Sequence, residues 1–544
     1  MIFGFLDEAS NVSNARVSKQ WSEIALDRLW RDVNDLHRLF GLLAPLEKHG
    51  DGDHIFIQTP DASSWAKFER YSRRVRRLSY NAADAVHHLH RSVFDDVGRT
   101  RTNLNILPSL NALDWNGPLR LCVMFMHSNV KRFTIRLPGT VFTESPNPFF
   151  QDIASRMPNI THLDIRTDIP MRFFETESIT LFRALVKLQK ITLPRFHFTT
   201  KIAECVSSLE NLGTLEFQYL QEQGCGDPED TIIFKPTLAE GAFPSLWDLS
   251  LTTSFNDATS FIDIPFAPAK LTMLYIDSHL FETPADILRA LTTIADNCQL
   301  LKSLALISLI EPNMIPGDSF FKDDCINIET LQPLFNCPNL TSLELLHQFP
   351  LDLRQEDIEK VVAKWPSLET LLLNNEPAYL ERSTLTLEAL LPFAQHCPNL
   401  RHLGLFINAS TVELSPHYLD SSSTYQLMPF KKLRHLSMGV SPISEEGPIA
   451  LFLSQICPLH CLLDSGVTWD ESVTVTESMA NTIKTRYGRW EKVKELLPLL
   501  TKLRIEERGR VKGLQSEVED LRMRTDVLMD KATLAAGRDG CVII

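Results

Sequence analysis

The octapeptide Pro338-Asn339-Leu340-Thr341-Ser342-Leu343-Glu344-Leu345 decides how this chain folds. Pro-Asn favours a turn. After it, Leu343 and Leu345 alternate with Glu344, which puts both leucines on one face of a short strand. The same apolar-x-x-apolar-x-apolar spacing recurs along the chain. Clear copies start at Ile160, Leu212, Leu246, Leu271, Leu301, Leu340, Leu368, Leu400 and Leu433, and weaker ones at Val75, Leu110, Val130 and Leu188. These thirteen starts span 358 residues, a mean period near 30, which marks a repeat architecture.

The segments between copies read as helices. From Thr386 to His396, Leu387, Leu390, Leu391 and Ala394 form one apolar stripe; Pro398 ends it and Asn399 turns the chain into the next strand. One strand plus one helix cannot bury its own apolar face, so the repeats are expected to stack into a curved parallel sheet with outer helices, an α/β solenoid. Cys298, Cys337 and Cys397 stand two or three residues before a strand-starting leucine, where Phe243 and Trp365 stand in other copies. A position shared by Cys, Phe and Trp is an apolar packing position.

Composition bounds the function. The chain has 544 residues, 44% hydrophobic and 22% charged, with 79 leucines, 21 glycines and a net charge of −14. Such an acidic average disfavours a nucleic-acid partner. No apolar run reaches the roughly 18 residues that a membrane span needs. The start, Met1-Ile2-Phe3-Gly4-Phe5-Leu6-Asp7-Glu8, lacks the basic and long apolar regions of a signal peptide. Ten scattered cysteines form no disulfide framework, so reduced thiols and a cytoplasmic and/or nuclear location are expected.

No Gly-rich phosphate loop, Gly-x-Ser-x-Gly elbow or His-Glu-x-x-His motif occurs, so no catalytic residue, cofactor or metal is expected. Cys457 and Cys461 lack a second ligand pair at zinc-site spacing and read as another helix end. His87, His88 and His90 near Asp84 read as either a weak chelate or a solvated face. The basic run Lys67, Arg70, Arg73, Arg74, Arg76 and Arg77 reads as a solvated helix face, with an acidic-degron pocket or nuclear import signal as alternatives.

The repeat series resembles the leucine-rich repeat family in long, irregular copies; the polar ladder after the strand is mostly missing, with Asn374 a partial exception. At the N-terminus, Val17-Ser18-Lys19-Gln20-Trp21, then Ile24-Ala25 and Leu29-Trp30, resembles the second half of an F-box. Ile2-Phe3-Gly4-Phe5-Leu6-Asp7 is similar to the end of its first helix, and the continuation to Leu46 is similar to fungal F-box proteins with degenerate repeats. The family's Leu-Pro-x-Glu opening is absent, so the resemblance implies an F-box truncated at its N-terminus: either the true start lies upstream or adaptor binding is reduced.

The resemblance implies a non-catalytic substrate receptor of an SCF-type ubiquitin ligase. Such a protein bridges a Skp1-like adaptor and cullin complex, on the F-box, to a protein substrate on the repeats. By carry-over, Val17, Lys19, Trp21, Ile24, Leu29 and Trp30 are the adaptor-binding candidates; Trp21 and Ile24 read equally well as internal packing of a helical pair. The expected domains are a partial all-α F-box at 1–46, the repeat solenoid at 47–470 and a helical tail at 471–544.

In the tail, Pro498 should bend or restart a helix. Val511, Leu514, Val518, Leu521, Thr525, Leu528, Ala532 and Ala535 then follow 3-4 spacing, a coiled-coil-like seam. Three outcomes fit it: a homodimer through 511–535, folding back onto the repeats, or a frayed helix. Cys541-Val542-Ile543-Ile544 matches the C-a-a-X prenylation pattern, so reversible membrane association depends on Cys541. The competing function is a leucine-rich scaffold with a vestigial F-box that dimerises or meets a membrane through this tail.

Overall fold

The structure is a computed structural model that describes residues 3, 6–50, 52–139, 145–309, 325–380, 383–410, 427–468 and 476–536. The chain forms two compact units, 1–306 and 307–544. In the first, ten strands lie side by side in chain order: Asp32–Val33, Arg77–Asn81, Ala112–Asn116, Arg132–Arg136, His162–Arg166, Lys190–Thr192, Thr214–Glu216, Asp248–Leu251, Met273–Ser278 and Ser303–Ser308. In the second, five follow the same rule: Ser342–His347, Thr370–Leu373, His402–Leu405, His435–Gly439 and Leu462–Ser465. All thirteen motif copies fall on these strands. Asp32–Val33 and Leu462–Ser465, each with one buried apolar residue (Val33, Leu463), are two strands that the motif does not mark.

Parallel strands require a crossover, and a helix or single turn supplies it. Helix Pro284–Asn297 shows the logic: Thr283 and Asp286 form a capping box, and Ile287, Ala290, Leu291, Ile294 and Ala295 bury one stripe. Thr386 precedes a 3₁₀ turn and the helix Leu390–His396, with Leu387, Leu390, Leu391 and Ala394 all buried as the stripe predicts. Cys298, Cys337, Cys397, Phe243 and Trp365 are buried too, as packing residues. Each fully buried leucine of a repeat contributes about 1.5–3 kcal/mol of transfer free energy, so three per repeat outweigh the poor match of individual copies to a consensus. This is the leucine-rich-repeat architecture.

The missing polar ladder has substitutes. Asn374, at φ +48°, accepts from the His347 amide at 2.9 Å and donates to the Phe349 carbonyl at 2.6 Å, stapling the loop of the preceding repeat. Ser441 does the same two repeats on, accepting from the Ile407 amide at 3.0 Å and donating to the Leu405 carbonyl at 3.3 Å.

Helix Glu477–Ala536 runs unbroken through Pro498, so the expected restart does not occur. Proline deletes one i−4 hydrogen bond. Buried Trp490, Val493, Leu497 and Thr501 on its two sides, packed on helix Glu446–Ile456, offset that loss. The Trp490 indole also donates to the Ser441 carbonyl at 2.9 Å. No described helix is long and apolar enough to cross a membrane.

Candidate functional site

The N-terminal segment forms two helices, Glu8–Asn14 and Lys19–Leu29. Asp7 caps the first, accepting from the Ser10 amide at 2.9 Å, and Ser18 caps the second, accepting from the Trp21 amide at 3.2 Å. Buried Asn11 donates to the carbonyls of Phe3 and Leu6 at 3.2 and 3.3 Å, fixing the entry of the chain.

The motif residues part into two sets. Ala25 and Trp30 face inward: Trp30 is 7% exposed, its ring 5.1 Å from that of Tyr71 and 4.8 Å below the Arg38 guanidinium. Leu29 is half-buried and lines an open groove of about 590 Å³ with Phe3, Leu6, Arg28 and Val33. Val17, Trp21 and Ile24 face outward, 62%, 44% and 42% exposed, and Lys19 is exposed beside them. The Phe3 ring meets Trp21 edge-on at 5.5 Å. Leu6 and Val12 are exposed as well, at 38% and 40%. Trp21 and Ile24 are thus each about half exposed, with Trp21 packed on Phe3.

What holds the second helix is invisible in the motif. Arg74, at the end of helix Ala62–Ser72, is buried and pairs with both Glu23 and Asp27, one turn apart on helix Lys19–Leu29. It also donates to the Glu23 carbonyl at 3.0 Å and to the Arg70 carbonyl at 3.0 Å. The hydrogen bond from Arg74, then its charge, holds the Glu23 carboxyl below the ordinary carboxylate range. The basic run is therefore a solvated face at Lys67, Arg70, Arg73, Arg76 and Arg77 only; Arg74 is a clamp.

His87 leaves its sequence neighbours and packs against His37 and His54, ring centroids 4.5 to 5.0 Å apart. His37 Nε2 is buried without a hydrogen-bond partner among the described residues, and burial, then the two neighbouring rings, pushes its pKa down. His90 instead caps helix Arg91–Thr100. No group of three His, Cys, Asp or Glu among the described residues is arranged to hold a metal. Cys457 is buried at the end of helix Glu446–Ile456 and Cys461 is buried just before strand Leu462–Ser465; Cys541 lies outside the described residues.

The polar face of the first unit's strands offers a second surface. Register places Ser79, Asp114, Thr134, Asp164, Thr192 and Glu216 in one row, beside a row carrying Arg77, Arg132, His162, Lys190 and Asp248. Lys190 pairs with Glu216 at 2.8 Å, and Arg166 with Asp164 at 3.0 Å. Burial, then the charge of Glu216, pushes the Asp248 carboxyl up to about 6. Next to it Phe217, Tyr219 and Tyr275 cluster at 5.2 to 5.9 Å, and the Tyr219 hydroxyl donates to Asp277 at 2.9 Å.

No family model and no curated protein matches the sequence. Solved structures do. A chain of the TLR13–ssRNA13 complex is 13% identical over 77% of this chain and 57% of its own, with a TM-score of 0.35, so this chain spans little more than half its length. The leucine-rich repeat-containing protein LegL7 from Legionella pneumophila is 14% identical over 55% of this chain and 83% of its own, TM-score 0.30. A chain of the yeast Rad7–Elc1 complex is 16% identical over 74% of this chain and 89% of its own, TM-score 0.33. Similarity at that level carries no functional argument; the leucine-rich-repeat fold stands on the thirteen motif strands and their stacking order.

Proposed function

We propose that this protein is the substrate-recognition subunit of an SCF-type ubiquitin ligase, bridging a Skp1-like adaptor and its cullin to a protein substrate. The observation that carries the reading is the outward placement of Trp21 and Ile24 on a helix fixed from behind by Arg74, with exposed Val17 in the turn before it. A clustered apolar surface on an anchored element is what a protein partner buries. The substrate is read on the strand face of the repeats. No transfer chemistry is assigned to this chain: its contribution is effective concentration and orientation of the substrate toward a ubiquitin-charged enzyme.

Co-purification tests the proposal. The full chain, and a version extended upstream of Met1, are each expressed with a Skp1 homologue. Capture by either supports the ligase reading, and failure of both overturns it. The second reading, a leucine-rich scaffold that uses its tail, is favoured by the exposed seam from Val511 to Leu528 and predicts no capture by either chain.

A further inference from the structure

Helix Glu477–Ala536 uses its two halves differently. Its first half is buried on helix Glu446–Ile456 through Trp490, Val493 and Leu497, with Arg504 donating to the Ser454 hydroxyl at 2.8 Å. From Val511 onward the seam has no such cover: Val511, Leu514, Val518, Leu521 and Leu528 are 48% to 66% exposed. The seam therefore does not fold back onto the repeats. An exposed heptad stripe of aliphatic residues on a formed helix is an unpartnered face, and its sequence names the partner.

We propose that residues 511–535 pair with a second copy of this chain as a parallel, in-register, two-stranded coiled coil. This goes beyond the ligase reading and stands without it. With Val511 at the first core position, valine fills a at 511 and 518 and leucine fills d at 514, 521 and 528. Valine at a with leucine at d favours two parallel strands. Charge agrees with that alignment. Glu517 falls at g and Arg522 at the following e, so each Glu517 faces Arg522 of the second copy, twice per dimer. Neither is in an ion pair within its own chain among the described residues, whereas Arg524, at the next g, where the facing e is the uncharged Met529, is paired with Asp520 at 2.8 Å. Twenty-five helical residues give a seam about 37 Å long. With Thr525 at an a position it is a short coiled coil, so the dimer dissociates on dilution.

Sedimentation of the full chain over a range of concentrations reads the proposal. The wild type is expected to move from 61.8 kDa toward twice that mass as concentration rises. Leu514→Asp with Leu521→Asp is expected to stay at monomer mass at every concentration; because both side chains are exposed, melting of the repeats should not change, which separates lost pairing from lost folding. Glu517→Arg is expected to weaken the dimer and Arg522→Glu in the same chain to restore it. For orientation, Val511→Cys in a Cys225→Ser, Cys541→Ser background is expected to be joined to its own copy by a short bis-maleimide. A wild type that stays monomeric throughout, or a Leu514→Asp/Leu521→Asp chain that dimerises equally, overturns the proposal. Cross-linking only when Val511→Cys and Leu528→Cys chains are mixed overturns the parallel arrangement. None of these results depends on adaptor binding.

Discussion

Arg74 and Glu23 are joined twice, once through their side chains and once where the guanidinium donates to the Glu23 backbone carbonyl at 3.0 Å. A side-chain pair alone could be replaced by solvent. A bond to the main chain fixes the helix itself, and Asp27, one turn further, fixes its rotation. Removing the guanidinium by Arg74→Met should therefore cost about 1–3 kcal/mol at this contact. Hydrogen exchange along 19–29 is expected to accelerate while exchange in the repeat strands stays as in the wild type. Arg74→Lys should recover only part of the protection, because one ammonium cannot serve two carboxylates and two carbonyls at once.

Asn374 supports the second unit in a way that few residues could. It holds a left-handed backbone at φ +48° and satisfies two buried main-chain groups of the preceding repeat. Asn374→Ala loses both bonds and keeps the strained φ, at a cost of about 2–4 kcal/mol. Asn374→Asp keeps the acceptor for the His347 amide and loses the donor to the Phe349 carbonyl. The expected order of melting temperatures is wild type, then Asp, then Ala.

Asp248 gives a pH dependence of definite sign. Its folded pKa is pushed up to about 6, above the ordinary carboxylate range, so the folded state holds the proton more tightly than the unfolded one. Stability from this group is complete below about pH 4 and is lost as pH rises through 6. Asp248→Asn removes the charge and should stabilise the protein at pH 7.5 by on the order of 1 kcal/mol, after allowance for solvent screening of a half-exposed group. The gain should vanish at pH 4. Melting curves of both proteins at the two pH values check this; an equal difference at both would refute it.

The repeat fold was open to sequence reading because burial acts locally. Leu343 and Leu345 must face one way whatever surrounds them, and all thirteen copies of that spacing became strands. The terminal strands escaped because a strand with one buried residue, Val33 or Leu463, leaves no period to detect. Asn374 was legible as a ladder residue, whereas Ser441 performs the same task with a side chain too common to stand out. At the N-terminus the motif marked Trp21 and Trp30 alike, yet one faces solvent and the other the core. That difference is set by Arg74, Tyr71 and Arg38, residues distant in sequence whose pairing no local spacing reveals. Likewise His87 meets His37 and His54 across 50 and 33 residues, not the histidines beside it. At Pro498 the restart, one of the two outcomes the local rule allowed, did not occur, because burial of Trp490 and Leu497 holds the helix together.

The most direct measurement is a calorimetric titration of a purified Skp1 homologue into the full chain and into Trp21→Ala with Ile24→Asp. Both side chains are about half exposed, so melting of the repeats is recorded beside the titration and should stay as in the wild type. Binding by the wild type, weakened about 100-fold or more in the double variant at unchanged stability, is the expected result. Equal affinity of the two chains would contradict adaptor binding through this helix, and no heat with either the wild type or its version extended upstream of Met1 would contradict the adaptor itself.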